Sequence, residues 1–258
     1  MSDAGDAYEE LRPEARSSML LVCEHASQAV PDEYASLGLP QSELDRHIGY
    51  DIGAAALTRA LSERLDATAL LGVVSRLVID INRQPWHPGF VPVESDGTAV
   101  PGNADADDAE RARREARWFT PFHARVHAEL DARRAAGRPP VVVTIHSFTP
   151  VLAGVERPWP VGVLYLRERA AAMVVLEALR ETVPDGPVGD NQPYGIMLDG
   201  TDVTVPYADE RGVPSIAFEV RHDQIDDDAG VATWCDLLAP ALERMLARLA
   251  DAPPAAAV

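Results

Sequence analysis

Four stretches of this sequence set chemically capable side chains directly beside apolar runs. Glu24-His25 follows Leu20-Leu21-Val22-Cys23, and His146-Ser147 follows the run from Val141 to Ile145. Glu219 and Arg221 interrupt Ser215-Ile216-Ala217-Phe218-Glu219-Val220-Arg221. In the segment from Ser75 to Arg83, Arg76 and Arg83 bracket an apolar core, and Asn82 precedes the second arginine. Short continuous apolar runs read as buried strands, and open α/β sheets bind ligands beyond the carboxyl ends of their strands. Two histidines, a glutamate and two arginines so placed suit a hydrolase that activates water at a metal and holds an anionic substrate.

Each group also has a simpler reading. A histidine at a strand end serves as a structural hydrogen-bonder as readily as a ligand. His47 and Asp51 lie four residues apart, and on a helix that spacing shares a face: it holds a metal, forms a His–Asp hydrogen bond, or carries only solvated charge. Glu219 and Arg221, two apart on a strand, point the same way and could simply pair. Asp80 reads as a turn acceptor, Cys23 and Cys235 as core filler, and His123 and His127 as surface groups on a charged helix. His87 falls in a long loop.

The elements that must carry these residues alternate strand and helix patterns, the mark of an α/β domain. Strands are expected at Met19 to Cys23, Ala69 to Val74, Val141 to Ile145, Val161 to Leu166 and Ser215 to Val220, with a further short apolar run from Leu77 to Ile81. Helices are expected from about Gln41 to Leu65, Asp107 to Ala136, Glu168 to Val183 and Gly230 to Leu249. The Pro/Gly-rich loop between Gln84 and Asn103 is long for a compact domain, a length that accompanies function or disorder. Residues 1–18 read as an acidic flexible tail, residues 19–251 as one catalytic domain without a linker or repeat, and residues 252–258 as a C-terminal tail.

Composition narrows the chemistry. The chain has 258 residues, 41 Asp+Glu against 23 Lys+Arg, and a formal net charge of -18. Every one of the 23 basic residues is Arg. Without Lys there is no Schiff-base catalysis and no P-loop lysine. Strong acidity opposes nonspecific binding to nucleic acid or anionic membrane, so the expected partner is a small anionic substrate in an Arg-lined site. Two cysteines are too few for a disulfide framework. The start lacks a signal-peptide pattern and no apolar run nears the roughly 18–20 residues that span a bilayer, so a cytoplasmic protein is expected.

The ordered set Val22-Cys23-Glu24-His25-Ala26-Ser27, His47-Ile48-Gly49-Tyr50-Asp51-Ile52-Gly53-Ala54, Ser75 to Arg83, His146-Ser147-Phe148-Thr149-Pro150, Asp190-Asn191-Gln192-Pro193-Tyr194 and Phe218 to Asp223 resembles the N-formylglutamate amidohydrolase family. That family is similar to the zinc carboxypeptidases and aspartoacylases. The resemblance implies a single α/β domain with a mixed central sheet flanked by helices, and one zinc ion per chain. It further implies hydrolysis of an N-acyl amino acid, foremost N-formyl-L-glutamate to formate and glutamate. Other readings are a related deacylase for another N-acyl amino acid or small peptide, and a non-catalytic carboxylate-binding relative. Where carboxypeptidases place Glu three residues after the first ligand His, this chain has Gln28. The implied ligands are therefore His25, Asp51 and His146, with Glu24 as the alternative carboxylate. The implied general base is Glu219. Arg76 would polarise the scissile carbonyl. Asn82 and Arg83 would grip a substrate carboxylate, Arg221 would take a second one or orient Glu219, and Tyr194 would line the pocket. Where the family carries a histidine shortly before the last strand, this chain reads Val205-Pro206-Tyr207.

Overall fold

The computed structural model describes residues 7–183, 186–195 and 202–251. Its strands in chain order are β1 Tyr8–Leu11, β2 Met19–Cys23, β3 Thr68–Gly72, β4 Glu94–Ser95, β5 Thr98–Ala99, β6 Val141–Phe148, β7 Val151–Leu152, β8 Val155–Glu156, β9 Val161–Leu164, β10 Gly189–Asp190 and β11 Ser215–Arg221. Its α-helices are α1 Gln41–Leu44, α2 Ala54–Arg64, α3 Asp108–Arg114, α4 Thr120–Ala135, α5 Arg169–Thr182, α6 Thr204–Glu210 and α7 Asp228–Ala250. Seven strands form one mixed sheet in the order β1-β3-β2-β6-β11-β9-β10. β3, β2, β6 and β11 run parallel, while β1 and β9 pair antiparallel with β3 and β11. The β4–β5 and β7–β8 pairs are separate two-stranded hairpins.

Both faces of the sheet are covered, as its near-continuous apolar strands require. Side chains alternate by strand geometry. Met19, Leu21 and Cys23 of β2 join one core with residues of α2, α5 and α7, while Leu20 and Val22 join a second with Trp118, Phe122 and Val126. No helix among the described residues is long and apolar enough to cross a membrane.

Several expectations need correction. The helix expected over Gln41 to Leu65 is two helices, because the chain must turn between them. A Cβ at Gly49 would sit 2.2 Å from the Leu44 carbonyl oxygen, and Gly53 has φ +79° with Ile225 O 2.1 Å from where its Cβ would stand. His47 and Asp51 therefore share no helical face, and His47 Nε2 lies 3.3 Å from Asp96 instead. Part of the expected N-terminal tail is an ordered edge strand, β1, whose Glu9 and Glu10 pair with Arg59 and Arg125. The C-terminal tail lies outside the described residues. The apolar run Leu77 to Ile81 forms no strand, although Leu77, Val78, Ile79 and Ile81 are all buried.

The charged helix is where sequence and structure differ most. α3 and α4 are joined by a π-helical turn, Glu115–Phe119, into one long element that turns polar side chains inward. Arg114 Nη1 donates to the Val78 carbonyl and to Asn103 Oδ1, both at 2.8 Å, and Asn103 Nδ2 donates to Leu77 O at 2.8 Å. His123, expected at the surface, is buried and its Nε2 donates to the Ile81 carbonyl at 2.7 Å. His127 is half-buried, stacked on Tyr207 at 3.6 Å between ring centroids. Asn103, Arg114 and His123 thus satisfy the carbonyls of Leu77, Val78 and Ile81, which would otherwise be buried without partners.

Burial lowers the His123 pKa from the ordinary 6.5 to about 4. The unfolded chain thus binds one more proton at this position between those values, and stability falls as pH drops through that window, by roughly 3 kcal/mol in full. Urea unfolding of His123→Gln should show a smaller loss of stability than the parent protein between pH 7 and pH 4.5. An equal loss in both would contradict the buried neutral imidazole.

Candidate active site

The carboxyl ends of β2 and β6, neighbours in the sheet, bring His25 and His146 together, with ring centroids 5.1 Å apart. Asp51 reaches them from the turn before α2, where its backbone N–H donates to the His25 carbonyl at 3.0 Å. All three side chains are buried, at 3%, 5% and 4% exposure for His25, His146 and Asp51. Asp51 Oδ2 is the focus: His146 Nδ1 lies 2.8 Å away, His25 Nδ1 3.4 Å, and the Ser147 backbone N–H donates to it at 3.3 Å. One donor atom from each of His25, Asp51 and His146 falls within 4.8 Å of the others, so the three could hold a metal ion.

Each histidine turns its other nitrogen to a carboxylate. His25 Nε2 lies 2.7 Å from Asp80 Oδ1, and His146 Nε2 lies 3.3 Å from Glu24 Oε2. The second contact is too poorly aligned for a hydrogen bond, so among the described residues both oxygens of buried Glu24 are left without a donor. Asp80 is a turn acceptor as well, taking the Asn82 backbone N–H at 3.0 Å. Arg76 bridges the acids, with its Nη2 2.7 Å from Asp80 and its Nη1 3.3 Å from Asp51.

The electrostatics follow from this crowding of acids. Burial raises the Asp51 pKa, but the charge of His25 and the hydrogen bonds from His146 and His25 prevail and hold the carboxyl well below its usual range. Burial lowers the His146 pKa, yet Asp51 and Glu24, with Glu219 beyond, push it up to about 10. His25 is raised too, with burial and Arg76 opposed by Asp80 and Asp51. The cluster thus calls for positive charge between the imidazoles and Asp51, which a divalent cation would supply in place of protons. Two imidazoles around one inner carboxylate, with His25 braced by Asp80 and His146 facing Glu24, are the donor set of a His₂-carboxylate metal site, so the residues present fit such an ion.

Glu219, on β11 directly opposite His146 in register, is 8% exposed and its Oε2 has no hydrogen-bond partner among the described residues. Burial, reinforced by Asp51 against the opposing charges of His146, His25 and Arg76, raises its pKa to about 7. Glu219, His25, Asp51 and His146 line a cavity of about 240 Å³ together with Arg76, Asn82, Arg83 and Tyr194. Asn82 Oδ1 accepts from the Val203 backbone N–H at 3.3 Å, and its amide group lines the cavity.

Arg221 stands apart. It does not line the cavity; its Nε donates to Asp223 at 2.7 Å and its Nη1 to the Arg157 carbonyl. The sequence reading missed Asp202, which faces the cavity in an ion pair with Arg83, and Arg157, a buried arginine whose Nη1 donates to the Tyr194 hydroxyl at 2.6 Å. Neither sits at the end of an apolar run, so no local pattern marks them. Cys23 and Cys235 are buried free thiols.

No curated protein shows significant similarity to the chain. The structure of a gene product from Agrobacterium tumefaciens matches with a TM-score of 0.89 at 36% identity, over 96% of this chain and 98% of that one. An N-formylglutamate amidohydrolase from Ralstonia eutropha shares the fold, with a TM-score of 0.68 at 20% identity over 95% and 98%. The family model for N-formylglutamate amidohydrolase matches residues 17–225, a span that takes in every residue of the cavity. The chain belongs to the N-formylglutamate amidohydrolase family.

Proposed function

We propose that this hydrolase removes the acyl group from a small N-acyl amino acid, using one divalent cation held by His25, Asp51 and His146. The observation that supports this most is the arrangement about Asp51: two Nδ1 atoms meet one buried carboxylate oxygen while the outer nitrogens face Asp80 and Glu24. Two imidazoles and a carboxylate suit zinc, and also Fe²⁺, Mn²⁺ or Co²⁺; zinc is the ion expected. When bound, such a cation supplies Lewis acidity that acidifies water and polarises a carbonyl. N-formyl-L-glutamate, giving formate and glutamate, is the compound to which the family description points.

The chain's own groups divide the remaining work. Glu219, with its unpartnered oxygen and raised pKa, takes the proton of the attacking water and passes it to the leaving amine. Arg76, fixed by Asp80 and Asp51, stabilises the charge that develops on the amide oxygen; losing one such donor costs about 10²–10³ in rate. Asn82 and Arg83 hold the substrate carboxylate, Arg by its planar fork. Because Arg83 is paired with Asp202, substrate binding exchanges one carboxylate for another. Tyr194 closes the wall of the cavity, and Arg221 has no part in this reading. A cavity of about 240 Å³ admits a small substrate and not a folded protein.

Hydrolysis of N-formyl amino acids by metal-loaded enzyme should vanish with a chelator and return with zinc; a rate indifferent to chelation would refute the reading. Glu219→Gln should lower kcat/KM about 10²–10⁴-fold with metal content unchanged. Since Glu219 acts as the ionised base and its pKa is raised to about 7, kcat/KM should rise with pH up to a limb at pH 7, or below it where the cation draws that pKa down. A profile without an acid limb would remove Glu219 from the role. Asp80→Asn, which alters the partner of His25, should weaken zinc binding about 10–100-fold in a competition titration.

A further inference from the structure

Among the described residues the buried arginines are Arg114, Arg133 and Arg157. Arg114 pairs with Glu110, and Arg133 with Glu129. Arg157 has no carboxylate partner among the described residues: its Nη1 donates to the Tyr194 hydroxyl at 2.6 Å, while its Nε and Nη2 donate to nothing there. Its guanidinium lies over the rings of Phe148 and Tyr194, 5.0 and 5.1 Å from their centroids. Ring faces answer a cation only in part. A cation on a residue 7% exposed is costly unless an anion comes to meet it.

The fold sets this unanswered charge beside the reacting groups. Phe148 follows His146 by two residues on β6, so both side chains leave the same face, roughly 7 Å apart along the strand. Gly162 of β9 stands in register with Glu219, and the Gln192 carbonyl oxygen lies 1.7 Å from where a Cβ on Gly162 would stand. The missing side chain thus lets the segment that bears Tyr194 settle onto β9 beside Glu219. Tyr194 lines the cavity, with Arg157 behind it. Arginine has donors and no acceptor, so the Tyr194 oxygen accepts from Arg157 and its own proton remains to be given. Burial and the charge of Glu219, opposed by Arg157, hold that phenol above its ordinary range, so it keeps the proton. The other arginines around the cavity are answered by acids: Arg76 by Asp51 and Asp80, Arg83 by Asp202, and Arg221 by Asp223. Asn82 and Arg83 hold one substrate carboxylate in the reading above. A second, carried on the amino-acid side chain, finds at Tyr194 an O–H donor backed by a cation with no carboxylate of its own.

We propose that Tyr194 and Arg157 form a second anion subsite: the Tyr194 O–H donates to the side-chain carboxylate of a dicarboxylic N-acyl amino acid, and the buried Arg157 charge behind it sets the preference for that carboxylate over an uncharged amide. The proposal rests on the amidohydrolase reading and names the groups that select its substrate.

Two measurements test it separately from that reading. With zinc-loaded enzyme, kcat/KM for N-formyl-L-glutamate should exceed that for N-formyl-L-glutamine by about 10–100-fold, the worth of a hydrogen bond to a charged group. Tyr194→Phe and Arg157→Met should each bring that ratio toward one, the loss falling on KM for the glutamate compound, and Arg157→Lys should keep most of it. In calorimetric titrations of the same enzymes, L-glutamate should bind the parent more tightly than L-glutamine, and the difference should shrink in Tyr194→Phe. No preference in the parent overturns the proposal, as does a ratio unmoved in both variants or an equal loss for both substrates, the mark of a merely structural role. Tyr194→Phe decides should Arg157→Met fail to fold. If no N-formyl compound is hydrolysed, the amidohydrolase reading fails, and the titrations alone decide the subsite: a glutamate preference that Tyr194→Phe removes sustains it, and equal binding of the two amino acids, or of neither, overturns it.

Discussion

The carboxylate of Asp51 is a negative charge buried to 4% exposure, and a buried charge persists only where its surroundings answer it. Here the answer comes from three different elements. His25 arrives from the end of β2, His146 from β6 and Arg76 from the segment after β3, while the Ser147 N–H adds a fourth donor. The parallel neighbours β2 and β6 set the two imidazoles side by side, and β11 next to β6 sets Glu219 across from His146. The tight turn through Gly49 and Gly53 carries Asp51 to the same point, at positions where a Cβ would strike the Leu44 and Ile225 carbonyls.

A second layer holds the first in place. The segment bearing Arg76, Asn82 and Arg83 has no strand partner, yet its apolar side chains are buried. Its carbonyls are met by Arg114, Asn103 and His123, and Ser75 Oγ donates to the Gly49 carbonyl at 2.7 Å, tying this segment to the turn that carries Asp51. The buried polar residues of α3 and α4 thus serve the cavity without touching it. Unsatisfied, those carbonyls would each cost about 1–3 kcal/mol.

The parts legible in the sequence were those in which local pattern and tertiary role coincide. Continuous apolar runs ending in Glu24-His25 and His146-Ser147 mark buried parallel strands, and the side chains at their ends meet in space. Legibility failed where the cause lay far away in sequence. The pattern from Gln41 to Leu65 is helical throughout, and only the approach of Leu44 and Ile225 makes a turn necessary at the glycines. α3 and α4 look like a solvated helix because Arg114, His123 and Arg133 are polar, but each is buried against a backbone carbonyl supplied by another part of the fold. Asp202 and Arg157 carry no neighbouring pattern at all.

The net charge of -18 also divides in a way that composition conceals. Ion pairs such as Arg12–Asp66 and Arg113–Glu33 lie at the exposed surface and contribute little each, whereas the acids about His25 and His146 concentrate negative charge at one buried point. The most direct test of that account is calorimetric titration of metal-free protein with zinc. It predicts one tightly bound ion per chain, lost in Asp51→Ala and retained, with weaker affinity, in Glu24→Ala. Absence of stoichiometric binding, or loss in Glu24→Ala but not in Asp51→Ala, would contradict it.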